Sequence, residues 1–412
     1  MAIRLLLLTQ WFDPEPTFKG LVFARELLKQ GFEVEVVTGF PNYPGGKLYP
    51  GYKVKFFQRE WIDGVKVTRL PLYPSHDQSA VGRILNYASF AVTSLIYGLF
   101  CAKRPHVIYA YHPPLSVGVA AALIRVFRRI PVVYDIQDMW PDTLQATGMF
   151  TSKRGLKIVS TLCDWVYLRV DQLVVLSPGF KRLLIERKVS EAKIEVIYNW
   201  SAENSRPVRQ ARLSDSPLLS KGKFHILFAG NMGKAQALET ILEAAFLLQE
   251  EAPNLNFVFL GGGVEREKLR WIAEDRSLNN VVFLPPVSID EVGKYFEIAD
   301  VLLVHLKNDT LFTSTIPSKT QAYMAAGKPI LMAVNGDAAD LVRESGGGVV
   351  AEPENARSIA DAALSLQRIN IDRRNVMGEN GRIFYQRTLS LKVGTARFAT
   401  IFRKLAEREN NS

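Results

Sequence analysis

The sequence predicts an α/β protein of two doubly wound domains, and three observations predict it. The chain has 412 residues, beyond the roughly 250 to 300 at which a single core stops growing, so two domains of about 200 residues are expected. Short runs rich in Ile, Val and Leu recur, each followed by a segment of helical periodicity, the pattern of parallel strands covered by helices. The alternation stops once, in a stretch dense in Ser, Arg and Pro, and then begins again.

Taken in order, the strands of the first half are Ile3–Thr9, Glu33–Thr38, Val67–Leu70, Val107–Tyr111, Val132–Ile136 and Gln172–Leu176. Helical segments such as Lys19–Lys29 fall between them. The second half repeats the pattern with His225–Ala229, Asn256–Leu260, Val281–Leu284, Val301–His305, Ile330–Ala333 and Gly348–Ala351. This gives a first domain over residues 1–200, a linker and hinge over 201–223, a second domain over 224–390 and a C-terminal amphipathic helix over 391–412, expected to pack back on the first domain.

Composition narrows the function. With 48% hydrophobic and 22% charged residues the chain is an ordinary globular protein. Its net charge of +10 is uneven: residues 1–205 hold 25 Lys/Arg against 17 Asp/Glu (+8), and the remainder 26 against 24 (+2). An anionic membrane or a phosphorylated substrate explains this, and the lack of a nucleic-acid-binding motif weighs against nucleic acid. The apolar run Leu5–Leu8 is too short for a signal peptide, and two cysteines, Cys101 and Cys163, fit a reduced, cytoplasmic setting.

Two segments have more than one reading. Residues 84–101 carry no charge yet hold Asn86, Ser89, Thr93 and Ser94, which fits a buried helix on the first sheet, with membrane-surface contact as the alternative. In residues 45–61 aromatic and basic residues interleave, as in a surface hairpin or an interfacial patch where Tyr49, Tyr52, Phe56 and Phe57 meet headgroups beside Lys47, Lys53 and Lys55.

Two such sheets facing across a hinge place the carboxyl ends of their strands around a shared cleft. The loop after the first strand, DPEPTFKG, offers Lys19 and Gly20 at a helix N-terminus, a phosphate-compatible turn. After the first strand of the second half, FAGNMGKAQ brings Gly230, Asn231, Gly233, Lys234 and Gln236 to a turn entering a helix. Gly261, Gly262 and Gly263 follow the next strand. In TIPSKTQAYMAAGKP, residues 315–329, the Thr315 and Ile316 amides, the Ser318 hydroxyl and the Lys319 ammonium precede or open a helix and can converge on a dianion. Several such loops around one cleft favour a diphosphate. Asp135, Asp138 and Asp142 in YDIQDMWPDTL can serve as base or sugar-hydroxyl acceptor, and the spacing lacks the further ligands a metal site needs. His112 also follows a strand end, where a structural histidine is the competing reading.

Together these residues resemble the retaining nucleotide-sugar glycosyltransferases of family 4, which have two Rossmann-like domains facing across a cleft, the GT-B arrangement. The resemblance rests on TQWFDPEP (9–16), ARELLKQGFEVEVVTGFPNYP (24–44), DIQDMWPDTL (135–144), VVLSPGFKRLLIERKV (174–189), KIEVIYNWSAE (193–203), GNMGKAQALETILEAA (230–245), FLGGGVEREKL (259–269), residues 315–329 and SGGGVVAEPEN (345–355). Within the family the WbuB-type enzymes of O-antigen and capsule assembly, associated with N-acetyl-L-fucosamine transfer, are most similar in DMWPDTL, VIYNWSAE and GKAQALET.

The resemblance implies a UDP-sugar donor in the second domain and a lipid-linked saccharide, on polyprenyl diphosphate, as acceptor in the first. It implies a peripheral position on the inner face of the bacterial plasma membrane and no metal or other cofactor. Asp138, Lys234 and Lys319 are then the candidate catalytic groups. Lys19, Gly20, Gly230, Asn231, Gln236, Thr315, Ile316 and Ser318 would meet the donor's diphosphate and sugar, Gly261, Gly262, Gly263 and Gln321 its nucleoside, and His112 the acceptor. The sequence departs from the family where Asn231 and Gln236 replace an Arg and a Lys, and where Ser314 and Ala322 replace a pair of glutamates, the second of which binds the ribose hydroxyls. A nucleotide-sugar 2-epimerase of the same architecture and a non-catalytic sugar-nucleotide-binding protein are the alternatives. The first releases a free epimer without acceptor, and the second binds donor without releasing UDP.

Overall fold

The structure, a computed structural model, describes residues 2–75, 80–111, 114–146, 152–201 and 222–410. The chain forms two compact units, Met1–Tyr198 with Leu391–Ser412, and Asn199–Ser390. Residues 201–223, read as a linker, lie almost wholly outside the described residues.

The first unit contains the strands β1 (Ile3–Thr9), β2 (Phe32–Gly39), β3 (Gln58–Ile62), β4 (Val65–Leu70), β5 (Val107–Tyr111), β6 (Val132–Ile136), β7 (Gln172–Val175) and β8 (Ile194–Val196). Among the described residues they form one eight-stranded sheet in the order β3-β4-β2-β1-β5-β6-β7-β8. Its helices are α1 (Leu21–Lys29), α2 (Ala80–Ile96), α3 (Leu115–Arg128), α4 (Asp142–Ala146), α5 (Lys153–Arg169) and α6 (Pro178–Glu186). β1 sits at the centre, with Leu5 beside Val34 of β2 and Val107 of β5. Helices cover both faces of a parallel sheet, so the run Leu5–Leu8 is buried throughout.

Two strands escape the sequence reading. β3, Gln-Arg-Glu-Trp-Ile, is an edge strand of alternating polar residues, antiparallel to β4 across Asp63–Gly64, both at positive φ. This is a two-residue hairpin turn, so the hairpin expected in residues 45–61 begins only at Gln58. β8 has three residues and no periodicity to detect.

The second unit contains β9 (Phe224–Ala229), β10 (Leu255–Leu260), β11 (Val281–Leu284), β12 (Val301–His305), β13 (Ile330–Ala333) and β14 (Gly348–Val350), all parallel, in the order β11-β10-β9-β12-β13-β14. Its helices are α7 (Glu239–Leu248), α8 (Arg266–Asp275), α9 (Ile289–Ile298), α10 (Thr310–Thr313), α11 (Ser318–Ala326), α12 (Asp337–Ser345), α13 (Ala356–Arg368) and α14 (Ile371–Phe384). Sequence chemistry sets their ends: Ser288 and Glu291 form a capping box at α9, and Gly327, at φ 69°, closes α11 before Pro329.

The last helix, α15 (Leu391–Asn410), belongs to the first unit. Phe398 packs edge-on against Phe23 of α1 and Tyr109 of β5, and Phe402 against Phe32. Arg403 donates to Gln30 O at 3.0 Å.

In each sheet the strand order reverses once, between β1 and β5 and between β9 and β12. Doubly wound sheets bind ligands outside the carboxyl ends of the strands at such reversals.

Candidate functional site

In the second unit, the loops leaving β9, β10 and β12 meet at the reversal. Gly230 N donates to Leu260 O (2.8 Å), Met232 N to Gly262 O (2.7 Å) and Glu265 N to Met232 O (3.0 Å), so the loops after β9 and β10 lie backbone against backbone. The glycines permit this. A Cβ on Gly261, at φ 134°, would stand 2.2 Å from Gly230 O, and one on Gly263 would stand 2.4 Å from Met232 O. Gly262 alone of the three has open space around it.

Lys319 comes from the first turn of α11 and runs past Gly230, where a Cβ would stand 2.8 Å from its Cε. Its Nζ lies over the Phe228 ring, 3.7 Å from the centroid. Among the described residues no carboxylate is paired with it, and burial pushes its pKa down to about 7. A cation without an anion, at a helix N-terminus and a sheet reversal, is suited to an anionic ligand.

The neighbouring turn is held from β12. His305 accepts at Nε2 from Glu354 N (3.0 Å), so Nδ1 carries the proton and donates to Gln236 O (2.6 Å). Burial lowers the His305 pKa and keeps the ring neutral. Lys307 N donates to Ala235 O, and Gln236 Oε1 accepts from Gly233 N.

In the first unit, the loop after β1 is fixed by Glu15, which accepts from Asn42 N (2.8 Å), Tyr43 N (2.7 Å) and Phe12 N (3.2 Å). Burial pushes its pKa up to about 7, although these amides and the nearby Arg69 oppose the shift. Pinning that loop to residues 42–43 stacks Trp11 on Tyr43 with ring centroids 4.2 Å apart. Asp138 follows β6 and is partly buried, with its pKa raised by desolvation. Tyr87 of α2 lies within electrostatic reach of Asp138, Tyr43 and Arg83. A half-buried carboxylate can bind a sugar hydroxyl, and stacked aromatic rings can bind the face of a sugar ring.

Residues 21–200 match the family described as Glycosyl transferase 4-like domain, and residues 210–384 match Glycosyl transferases group 1. WcaI of Escherichia coli (strain K12), a putative colanic acid biosynthesis glycosyl transferase, is 30% identical over 73% of this chain and 75% of its own length. The chain belongs to the group 1 glycosyltransferases. WbjE of Pseudomonas aeruginosa, a probable glycosyltransferase, is 24% identical over 74% of this chain and 76% of its own. In fold, the transferase is similar to HepE of Anabaena in complex with UDP and glucose (TM-score 0.67, 15% identity, 98% of this chain and 100% of that one). Sucrose-phosphate synthase from Thermosynechococcus elongatus gives 0.70, at 16% identity, over 98% and 99%. Both units have the α/β architecture expected of a GT-B glycosyltransferase.

The glycosyltransferase brings Gly230, Lys319 and the open Gly262 to one reversal, with Ser318 exposed on the first turn of α11 and Ile316 just before it. Asn231 and Lys234 are exposed on the same loop, and Gln236 is partly buried at its end. Other candidates are placed differently. Lys19 is fully buried, its Nζ 4.0 Å from Asp135 Oδ2, so its charge is directed into the core and not to the α1 N-terminus. Burial lowers its pKa to about 8. That helix start is taken by Asp13, which accepts from Leu21 N at 2.6 Å and would clash with any Cβ on Gly20. Gly261 and Gly263 are glycines for loop packing, whatever they present to a nucleoside. The Thr315 amide donates to Phe312 O within its own turn. Gln321 is buried, and its side-chain nitrogen donates to Pro317 O (2.8 Å) in the orientation that satisfies both ends of the amide. His112 lies outside the described residues.

Of the aspartates, Asp135 accepts from Tyr109 and Gln137, both at 2.6 Å, and Asp142 pairs with Arg187, which leaves Asp138 as the one on open duty. Tyr87 and His305 carry no signal in the sequence, and Glu15 and Phe228 stand inside quoted loop stretches with nothing to single them out. Phe228 and His305 lie inside strand runs that read as core, and Tyr87 within an apolar helix.

Proposed function

We propose that this glycosyltransferase moves an N-acetylated deoxy sugar, such as N-acetyl-L-fucosamine, from UDP to a polyprenyl-diphosphate-linked saccharide, with retention at the anomeric carbon. It would act in surface polysaccharide assembly, of O-antigen or capsule, on the inner face of the plasma membrane and without a metal. The observation that carries this reading is Lys319, a cation with no paired carboxylate among the described residues, set against Gly230 at the start of α11. HepE, of similar fold, was solved with UDP and with UDP-glucose, which supports the uridine donor, and the colanic acid role in the name of WcaI supports the polysaccharide setting.

In the transfer, the bond from the anomeric carbon to the diphosphate oxygen breaks and a bond to the acceptor hydroxyl oxygen forms. The hydroxyl proton passes to the departing diphosphate. Charge accumulates on that diphosphate, where Lys319 and the amides at the start of α11 stabilise it. Asp138 receives a hydrogen bond from a sugar hydroxyl.

Thermal-shift measurements with UDP-, GDP-, dTDP- and ADP-sugars test the donor. At a hundred times Kd a ligand stabilises the folded state by about 2.7 kcal/mol, so a UDP-sugar is expected to raise Tm by several degrees. A rise with another nucleotide and none with UDP-sugars would overturn the uridine assignment. Asp138→Asn keeps the shape and removes the charge. It is expected to lower turnover by roughly ten- to a hundredfold, the worth of a hydrogen bond to a charged group, with the donor thermal shift unchanged. Wild-type turnover in that variant removes Asp138 from the site.

A further inference from the structure

The helix running from α2 through a π-type turn at Tyr97–Cys101 buries Phe90 and Tyr97 against the first unit and also presents apolar residues outward. Its polar residues face the first unit: Asn86 donates to Tyr73 O (2.7 Å), Ser89 accepts from Tyr73 N (2.8 Å) and Thr93 donates to Pro71 O (2.9 Å). Its outward stripe is Val81, Ile84, Leu85, Val92, Ile96 and Phe100, all exposed, with Phe100 at 80%. A helix on the surface of a soluble domain turns polar residues outward, and a contiguous outward apolar stripe about 29 Å long, at 1.5 Å per residue, calls for an apolar partner. The sequence reading of this segment as a buried helix holds for one face only: Phe90 and Tyr97 lie in the core with Leu95 and Leu99 packed against it, while the outward stripe is exposed.

The charges identify the partner. Residues 78–134 contain no Asp or Glu, and their six cations are Arg83, Lys103, Arg104, Arg125, Arg128 and Arg129. Arg83 lies near the start of the stripe, and Lys103 and Arg104 follow its end. Arg104 donates to Arg128 O at 3.0 Å, which brings this end to the last turn of α3, where Phe127 is 69% exposed. Arg125 is paired with Asp171 at 2.6 Å, and a second copy of the chain docked through the same stripe would set Lys103 and Arg104 at its end against cations of its partner. Lipid phosphates satisfy both features, since acyl chains accept the stripe and headgroups meet the cations.

We infer that α2 and the end of α3 form a monotopic docking surface for an anionic bilayer, with α2 lying in the interfacial plane. The hydrogen bonds of Asn86, Ser89 and Thr93 tie the helix to the unit, and spanning the bilayer would break them and leave polar groups unpaired in hydrocarbon. Tyr87, on this same helix, lies within electrostatic reach of Asp138. The surface therefore sets the proposed acceptor side of the first unit close to the lipid. This last point rests on the proposed lipid-linked acceptor, whereas the docking itself does not.

The test uses the full chain and vesicles of phosphatidylethanolamine with phosphatidylglycerol, against vesicles of phosphatidylcholine alone. The wild type is expected to float with the anionic vesicles, more weakly as salt is raised. Val92→Ser with Ile96→Ser and Phe100→Ser is expected to weaken binding at least tenfold, and so is Lys103→Glu with Arg104→Glu. Cys101, exposed beside Phe100, accepts an environment-sensitive fluorophore while Cys163 is buried. In the otherwise unchanged protein the label should shift to the blue on vesicles and be quenched by spin-labelled lipid, a readout that does not depend on variant folding. Absence of wild-type flotation, undiminished binding of both variants, or an unquenched label overturns the proposal. So does a dimer in solution that the serine substitutions dissociate. The UDP-sugar thermal shift, measured on the same samples without lipid, reports on the function separately, so either reading can fail alone.

Discussion

Lys319→Ala is expected to lower kcat/KM for the donor by about 10²–10³, the loss found when one preorganised stabiliser of developing charge is removed. The physical basis is the site of its ammonium. It lies over Phe228, partly buried and with no paired carboxylate among the described residues, so the protonated amine offers its charge to the ligand. The same burial gives the pH dependence. With a pKa of about 7 in the free protein, the amine is protonated below that pH and increasingly neutral above it, so donor affinity falls as pH rises through about 7. Lys319→Arg keeps its charge at all accessible pH and is expected to flatten that limb, whatever it loses in geometry. For stability the sign is opposite. Between about 7 and its ordinary value of 10.5 the folded chain binds fewer protons at this residue than the unfolded one, so the contribution of Lys319 to stability rises with pH across that window. Wild-type kinetics in Lys319→Ala, or an identical pH profile in Lys319→Arg, would remove this residue from the donor site.

Gly261→Ala is expected to lower stability by about 2–6 kcal/mol, as backbone strain and overpacking each cost roughly 1–3 kcal/mol. At φ 134° an alanine is strained, and its Cβ would press on Gly230 O at 2.2 Å. The displaced Gly230 would in turn disturb the path of Lys319, so activity should fall even below the melting transition. Gly262→Ala is the control. Nothing lies within 4 Å of its added Cβ, and a substitution of that kind is usually within about 0.5 kcal/mol of neutral. Thermal melting of the two variants beside the wild type checks the pair. Equal midpoints for Gly261→Ala and Gly262→Ala would refute the loop-packing role assigned to Gly261.

The strands were readable because parallel strands buried on both faces leave continuous apolar runs. Six of the twelve expected spans agree with the structure end to end, from Ile3–Thr9 to Ile330–Ala333, and the others differ by one or two residues at one or both ends. What escaped was strand without such runs, the polar edge β3 and the three-residue β8. The glycine loops were readable as loops. Their reason was not, because a glycine that faces a ligand and one that faces another backbone are the same letter. Gly261 and Gly262 are adjacent and differ in backbone conformation and in what packs on them.

Charged residues show the same limit. Lys19 and Lys319 each stand close to a helix start, and both read as phosphate ligands. The structure gives Lys19 a buried carboxylate, Asp135, and gives Lys319 an aromatic ring. The sequence by itself determined the two-part α/β architecture, the strand order in the chain and the loops that could carry chemistry, because these follow from local periodicity and turn residues. Only the tertiary structure decided which cation meets a carboxylate and which is left for a ligand, which glycines are packed, and which face of α2 looks outward. Those outcomes depend on partners distant in sequence, and no local pattern records them.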